Sequence, residues 1–406
     1  MSDHPAVTPW SWRRRMRPRD PEETQRVSTP LELLFDLCFV VAIGTDSARL
    51  EESLAEGHTG SGIASFLLVF FAVWWAWMNF TWFASAYDAD DTPYRLATMV
   101  VMAGVLILAA GVPRAFDDRD FAVVFAGYLV MRIGLESQRL RAAAADPERR
   151  ASLMRYAAGE SGCMVLWAVA IFAVPDGWRL PVWLVAAAAE LLVPPWAERA
   201  RSIPWHPHHI TERYGLFTII VLGETILSAS RAVQEGIADE ARLDLYLVAA
   251  GGLVTVFALW WVYFSLPSAG LLTRTRAAIL WGYGHYVVFA SGAAAGAGIA
   301  VNAALATHHA HVSRTAAGLA LAVPVLCYLT VVWWLLVRPH GANAPYAWGM
   351  PLVGLLTLPA SLTPRPVPVI GALMALLIAL SVWAHTTKSH RQNTPKTQPS
   401  PDAPTH

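Results

Sequence analysis

The chain has 406 residues, of which 55% are hydrophobic and only 15% charged, and its formal net charge is zero. An ordinary soluble domain is about 25% charged, so that class is excluded. No nucleic-acid partner is expected.

Taken in chain order, apolar runs of about 17–25 residues predict membrane helices over 31–50, 60–83, 95–113, 119–140, 155–174, 179–197, 214–232, 244–266, 277–301, 315–336, 346–363 and 367–386. The expected fold is all-α: a polytopic integral membrane protein of about twelve transmembrane helices. An Arg-rich arm (1–29) precedes a first six-helix unit (30–198) and a second (199–386), and a disordered tail rich in Pro, Thr, Ser and Gln (387–406) follows. Basic residues concentrate on one side of this topology, from Arg13, Arg14 and Arg15 through Arg139, Arg141, Arg149 and Arg150 to Lys388 and Arg391. Few, such as Arg49, Arg114, Arg179 and Arg365, fall on the other. Positive-inside bias then places both termini in the cytoplasm. Residues 1–29 contain no apolar core of their own, which argues against a cleaved signal peptide. Cys38, Cys163 and Cys327 sit in apolar spans at unrelated spacings and read as packing residues.

Three landmarks recur. Thr29, opening Thr-Pro-Leu-Glu-Leu-Leu-Phe, corresponds to Thr211, which opens Thr-Glu-Arg-Tyr-Gly-Leu-Phe; Trp74-Trp75 corresponds to Trp260-Trp261; and Arg95 corresponds to Arg276. The offsets, 182, 186 and 181 residues by those numbers, argue for duplication of a six-helix unit. An even number of helices per unit makes the repeat parallel.

The first helix carries the most informative side chains. Glu32, Asp36 and Asp46 share an arc of about 80° with Phe39 and Ile43. A carboxylate at mid-membrane costs at least roughly 2.5–3.5 kcal/mol and needs a partner, a proton or water. Asp46, near the far interface, reads as solvated. Further intramembrane ionisable residues are Arg132 and Glu136, spaced to pair with each other, then Glu160, Glu190, Glu224 and His285. Six acids thus face Arg132, with Arg213 at the interface as a second structural counter-ion, and an excess of acid suits protons or cations. Glu32, Asp36, Glu224, Glu190, Glu136 and His285 are the expected ion- or proton-binding groups.

His206, His209 and Glu212, at steps of three, offer a weak metal set; interfacial His and Glu at a helix start are more often capping or solvated. No metal or other cofactor is expected. Phosphate-loop, nucleophile-elbow and zinc-protease motifs are missing from the sequence. Gly292-Ala-Ala-Ala-Gly296 reads as helix packing.

Thr29–Asp36, the loop Tyr87-Asp-x-Asp-Asp-Thr-Pro-Tyr-Arg95, and the run His206-x2-His209-Ile-x-Glu-Arg-Tyr-Gly-Leu-Phe-Thr-Ile-Ile-Val-Leu-Gly-Glu224 resemble the bacterial low-temperature-requirement A family over roughly 28–385. The resemblance implies a multi-pass inner-membrane protein, named for growth at low temperature, with no established reaction. Tyr214 stands where His is common in that family, which weakens the metal set further. The leading expectation is a secondary transporter or ion-permeation protein in the lipid bilayer, with protons or small cations as partners. An intramembrane lipid-modifying enzyme using His285 and acids, and a non-catalytic scaffold or sensor, are the alternatives.

Overall fold

The computed structural model describes residues 12–20, 23, 26–238, 243–272, 274–341 and 344–393. Twelve α-helices and no strand occur among them. The first six are α1 (Pro30–Ala55), α2 (Thr59–Tyr87), α3 (Thr92–Asp117), α4 (Ala122–Ala145), α5 (Arg150–Phe172) and α6 (Asp176–Ala197). The second six are α7 (Pro207–Ala238), α8 (Leu243–Phe264), α9 (Thr275–Ala306), α10 (Arg314–Val332), α11 (Ala344–Ala360) and α12 (Pro366–Asn393). The last helix corrects one boundary: residues expected to begin a disordered tail at 387 remain helical to Asn393, and 394–406 lie outside the described residues.

By length and composition, α2, α3, α6, α8, α9, α12 and α10 with its continuation to His340 are able to cross a membrane. Of the others, α1, α4, α5 and α7 are the ones that carry most of the buried charges. Their polarity has an internal destination rather than a solvent one, which is why a hydropathy window understates them.

Local sequence sets the helix starts. Pro30 occupies the first turn of α1, where its missing N–H costs nothing. The Thr29 hydroxyl accepts the Glu32 backbone N–H while Glu32 Oε2 accepts the Thr29 N–H at 2.8 Å, a reciprocal cap. At α3, Asp91 accepts the Tyr94 backbone N–H at 3.0 Å.

Successive helices alternate in direction, so the molecule has two ends. At one end the N-terminal arm is folded onto the bundle instead of standing apart: the Arg19 N–H donates to Ala86 O at 2.9 Å, Arg26 donates to Ala84 O at 2.7 Å, and His206 donates to Glu23 O at 2.7 Å. Arg201 of the α6–α7 connection exchanges hydrogen bonds with Ser152 in the first turn of α5 there. At the other end His311 N–H donates to Ala55 O and Arg365 meets Asp244.

Packing order is similar in the first and second six helices. The contacts α1–α3, α3–α4, α4–α5 and α5–α6 have counterparts in α7–α9, α9–α10, α10–α11 and α11–α12. Close approach uses glycine: a Cβ on Gly104 would stand 2.6 Å from Gly127 O, locking α3 to α4. One pair breaks the parallel. Helices α8 and α12 pack extensively, with Gly371 so close that a Cβ there would stand 2.8 Å from Gly251 O, whereas α2 and α6 have little contact among the described residues.

Candidate functional site

Helices α1 and α7 run side by side with their starts at the same end, and Pro30 and Pro207 open them in register. Glu32 therefore stands beside His209 and Asp36 beside Arg213, an offset of 177 residues. The parallel setting turns two acids on one helix toward two bases on the other. Arg213 Nη2 donates to Asp36 Oδ1 at 2.6 Å, Arg213 Nη1 lies 3.0 Å from Glu32 Oε1, and His209 Nε2 lies 3.1 Å from the same oxygen. From α2, Trp77 Nε1–H donates to Asp36 Oδ1 at 2.7 Å. All of these groups are buried; Asp36 and Arg213 have no exposed surface. Such burial is tolerable only because every ion faces an opposite charge. Asp36 Oδ2 accepts no hydrogen bond.

A second network lies on the other side of α2. Trp75 Nε1–H donates to Glu190 Oε2 at 2.7 Å, and Arg132 donates to the same oxygen at 2.9 Å and to the Tyr128 hydroxyl at 2.9 Å. Arg132 and Arg139 both pair with the fully buried Glu160. Arg139 also pairs with Glu136 at 2.7 Å and donates to Asn79 Oδ1 at 3.2 Å. Trp75 and Trp77, two residues apart on a helix, point to nearly opposite sides, so α2 serves both networks.

The structure revises several expectations. Arg132 pairs with Glu160 and Glu190, not with its helical neighbour Glu136, because α5 and α6 bring their acids to its guanidinium. Arg213 is fully buried and pairs with both Glu32 and Asp36. Asp46 is buried rather than solvated, with neither carboxylate oxygen hydrogen-bonded, because α1 continues inward-facing for ten more residues. The expected set of ion- or proton-binding groups is divided: Glu32 and Asp36 meet, Glu136 and Glu190 share the other network, and Glu224 and His285 join neither. Glu224 is turned to Gly44 of α1, where a Cβ would come within 2.7 Å of its Oε1. His285 donates from Nδ1 to Trp281 O at 2.7 Å and has the Tyr263 hydroxyl 2.9 Å from Nε2.

The metal set does not converge. His206 Nδ1 accepts the His209 N–H at 3.3 Å and its Nε2–H goes to the arm, His209 faces Glu32, and Glu212 accepts the Ser28 N–H at 3.3 Å. Among the described residues no group of His, Cys, Asp and Glu is arranged to hold a metal. Tyr214, at the position where His was expected, accepts a hydrogen bond from Trp82 at 3.0 Å.

Arg139, Trp75, Trp77 and Asn79 escaped the sequence reading. Arg139 fell in a nominally cytoplasmic segment. The tryptophan at 75 served only as a repeat landmark, although Trp74 and Trp75 are buried while Trp260 and Trp261 are 45% and 38% exposed.

Outside the helices, the arm-side loops carry shifted acids. Burial, with the nearby Glu32 charge, pushes Asp88 up to about 6. Burial works the same way on Asp91, but hydrogen bonds from Arg141 and from the Arg14 and Tyr94 N–H groups outweigh it and hold Asp91 below the usual carboxylate range.

The sequence model described as "Bacterial low temperature requirement A protein (LtrA)" matches residues 27–383, which include both networks. A protein of Rhizobium meliloti (strain 1021), named "Uncharacterized protein RA0937", is 26% identical over 381 residues, covering 88% of this chain and 89% of its own. With the match spanning almost all of the helical bundle, this chain belongs to the bacterial low-temperature-requirement A family.

Proposed function

We propose that this protein is a proton-coupled secondary transporter of the bacterial cytoplasmic membrane, with twelve spans in two six-helix halves related by a parallel repeat and both termini cytoplasmic. The matching packing order of the halves supports the repeat. The concentration of arginine at the arm end supports the orientation.

The observation that carries the reading is the buried network between α1 and α7, which is the principal charged link between the halves. Glu32 and Asp36 outnumber Arg213 by one charge, and an uncompensated buried charge is expensive. A proton on His209, on either carboxyl, or a small bound cation in its place makes up the balance. Gain or loss of that charge alters the attraction that Arg213 exerts across the interface, giving two states of α1 relative to α7 that an ion gradient can bias. Glu190 and Glu136 belong to a second, connected set through α2; Glu224 is a reserve acid further along the same interface.

Two rival readings draw less support. An enzyme using His285 as a base would need a free ring nitrogen, and both are engaged. A scaffold would pack the acids of α1 and α7 against α4, whereas the acids of α1 meet α7 and α2.

The test is flux in proteoliposomes under an imposed pH gradient, comparing the parent with Asp36→Asn and Glu32→Gln. Gradient-dependent uptake of a solute or cation that either substitution abolishes is the expected result. Absence of any proton, Na⁺, K⁺ or solute flux from folded parent protein overturns the proposal.

A further inference from the structure

Two small, partly open cavities of about 60 and 50 Å³, which the transport reading has not used, lie among the first six helices. One, near the end distant from the arm, is walled by Phe71 and Ala72 of α2, Phe125 and Tyr128 of α4, Trp167 of α5 and Trp183 of α6. The other, toward the arm, is walled by Met78 and Asn79 of α2, Arg139 of α4, Tyr156 of α5 and Pro194 of α6, and is closed by Tyr283 of α9.

The second charged network separates them on every helix. Trp75 lies between Ala72 and Met78 on α2; Arg132 lies between Tyr128 and Arg139 on α4; Glu160 lies between Trp167 and Tyr156 on α5; Glu190 lies between Trp183 and Pro194 on α6. Four helices, three running one way and α5 the other, agree on one level. A network placed only to hold helices together would not need an opening above and below it. Glu190 Oε1, on a residue with no exposed surface, is left without a hydrogen-bond partner.

We propose that the cavity pair is the solute path of the transporter, and that Trp75, Arg132, Glu160 and Glu190 form the plug that closes it at mid-depth. This rests on the transport reading above and assigns the path to α2, α4, α5 and α6, with α9 and the α6–α7 connection closing its arm-side cavity. The walls identify the solute class. The outer cavity has aromatic and aliphatic walls and a single hydroxyl, from Tyr128, so a bare inorganic ion would shed its hydration there without gaining ligands. The inner cavity sets Arg139 and Glu198 among Trp82, Trp205 and Tyr283. At about 60 and 50 Å³ the closed cavities are too small for an aromatic ring, so the path suits a small organic molecule with an apolar, preferably aromatic, body and one ionisable group that is admitted only as the plug opens. That group replaces the Arg132–Glu190 contact as the plug opens, while the body stacks on the rings.

The test uses single cysteines on either side of Trp75, Ala72→Cys and Met78→Cys, in full-length protein whose Cys38, Cys163 and Cys327 are replaced by serine. The reagent is a charged, membrane-impermeant methanethiosulfonate. Met78→Cys is expected to react from the arm side and Ala72→Cys from the opposite side. Adding Trp75→Phe, or independently Glu190→Gln, removes part of the plug and should raise the far-side reaction of each by about five- to tenfold, the population shift expected from losing one buried hydrogen bond. At equal concentration, 2-phenylethylamine or phenylacetate should slow labelling of Met78→Cys, and potassium chloride should not.

The path is overturned if only lipid-soluble thiol reagents reach either cysteine, or if both plug variants, folded, leave the sidedness unchanged. The solute class is overturned if the salt protects as well as the aromatic solutes do. Flux through the parent with unaltered labelling would refute the path and leave the transport reading standing; the absence of all flux refutes the reading itself.

Discussion

The two halves solve the same packing problem with opposite chemistry. Where α8 meets α12, glycine at 251 and 371 lets the backbones touch, and the contact is closed by dispersion and shape. Where α2 might meet α6, the helices stand apart and the gap is spanned by Trp75, Glu190, Arg132 and Glu160, with a cavity on each side. A glycine contact has one good geometry. A charged contact has alternatives, because each ion accepts a proton, a water or a ligand in place of its partner. The second half is therefore read as a rigid frame and the first as the moving part, joined through Arg213.

The largest test of that contrast removes a charge. Arg213→Ala leaves Glu32 and Asp36 buried without their cation, and a loss of about 3–5 kcal/mol is expected, seen as a collapse of the monodisperse fraction and melting temperature in detergent. A melting curve close to that of the parent would mean that the acids are already neutral and that the link is not ionic. Overfilling the frame should cost less. Gly251→Leu forces α8 from Pro368 of α12, where even a Cβ would lie 2.8 Å from backbone atoms, and a penalty of about 1–3 kcal/mol follows. Cysteine reactivity at Ala72 and Met78 in the first half should be unmoved by it; coupled changes would show that the halves are not mechanically distinct.

A pH effect of similar or smaller size belongs to the arm-side loop. Asp88 titrates at about 6 in the folded protein against 3.8 ordinarily. A folded-state value above the unfolded one means that stability is full below about pH 4 and is lost as pH rises through about 6, by up to about 2–3 kcal/mol. Asp88→Asn should flatten the dependence of melting temperature on pH over that interval, and an unchanged slope would assign the effect elsewhere. The smallest effect is expected at Asp46, whose carboxylate oxygens have no partner to lose. Asp46→Asn should alter stability by less than about 1 kcal/mol, so a loss of flux without a loss of folded protein would mark Asp46 as a working group rather than a passive one.

Much of the fold was legible because it depends on local patterns. Twelve apolar runs gave twelve helices, and the shared face of Glu32, Asp36 and Asp46 is the face that α1 buries. The errors share a cause. Arg132 was matched to Glu136 and Arg139 to solvent because the sequence shows neighbours along one helix and says nothing of what α5 and α6 bring across. His209 drew notice only as a weak metal candidate because its spacing to His206 and Glu212 was visible, while its approach to Glu32, far away in sequence, was not. The aromatic hydrogen bonds from Trp75 and Trp77 left no sequence signal beyond a run of tryptophan.

The sequence alone determined that the chain is a multi-helical membrane protein, that its first helix hides acids, and that its motifs match one family. Periodicity, burial cost and motif spacing are properties of a single segment and survive without tertiary information. Only the tertiary structure decided which base answers each paired acid, that the paired acids fall into two networks, and that one of these stands between two cavities. Those facts depend on helix register and separation, which are fixed by packing between segments distant in sequence: in-register α1 and α7, close α8 and α12, and separated α2 and α6.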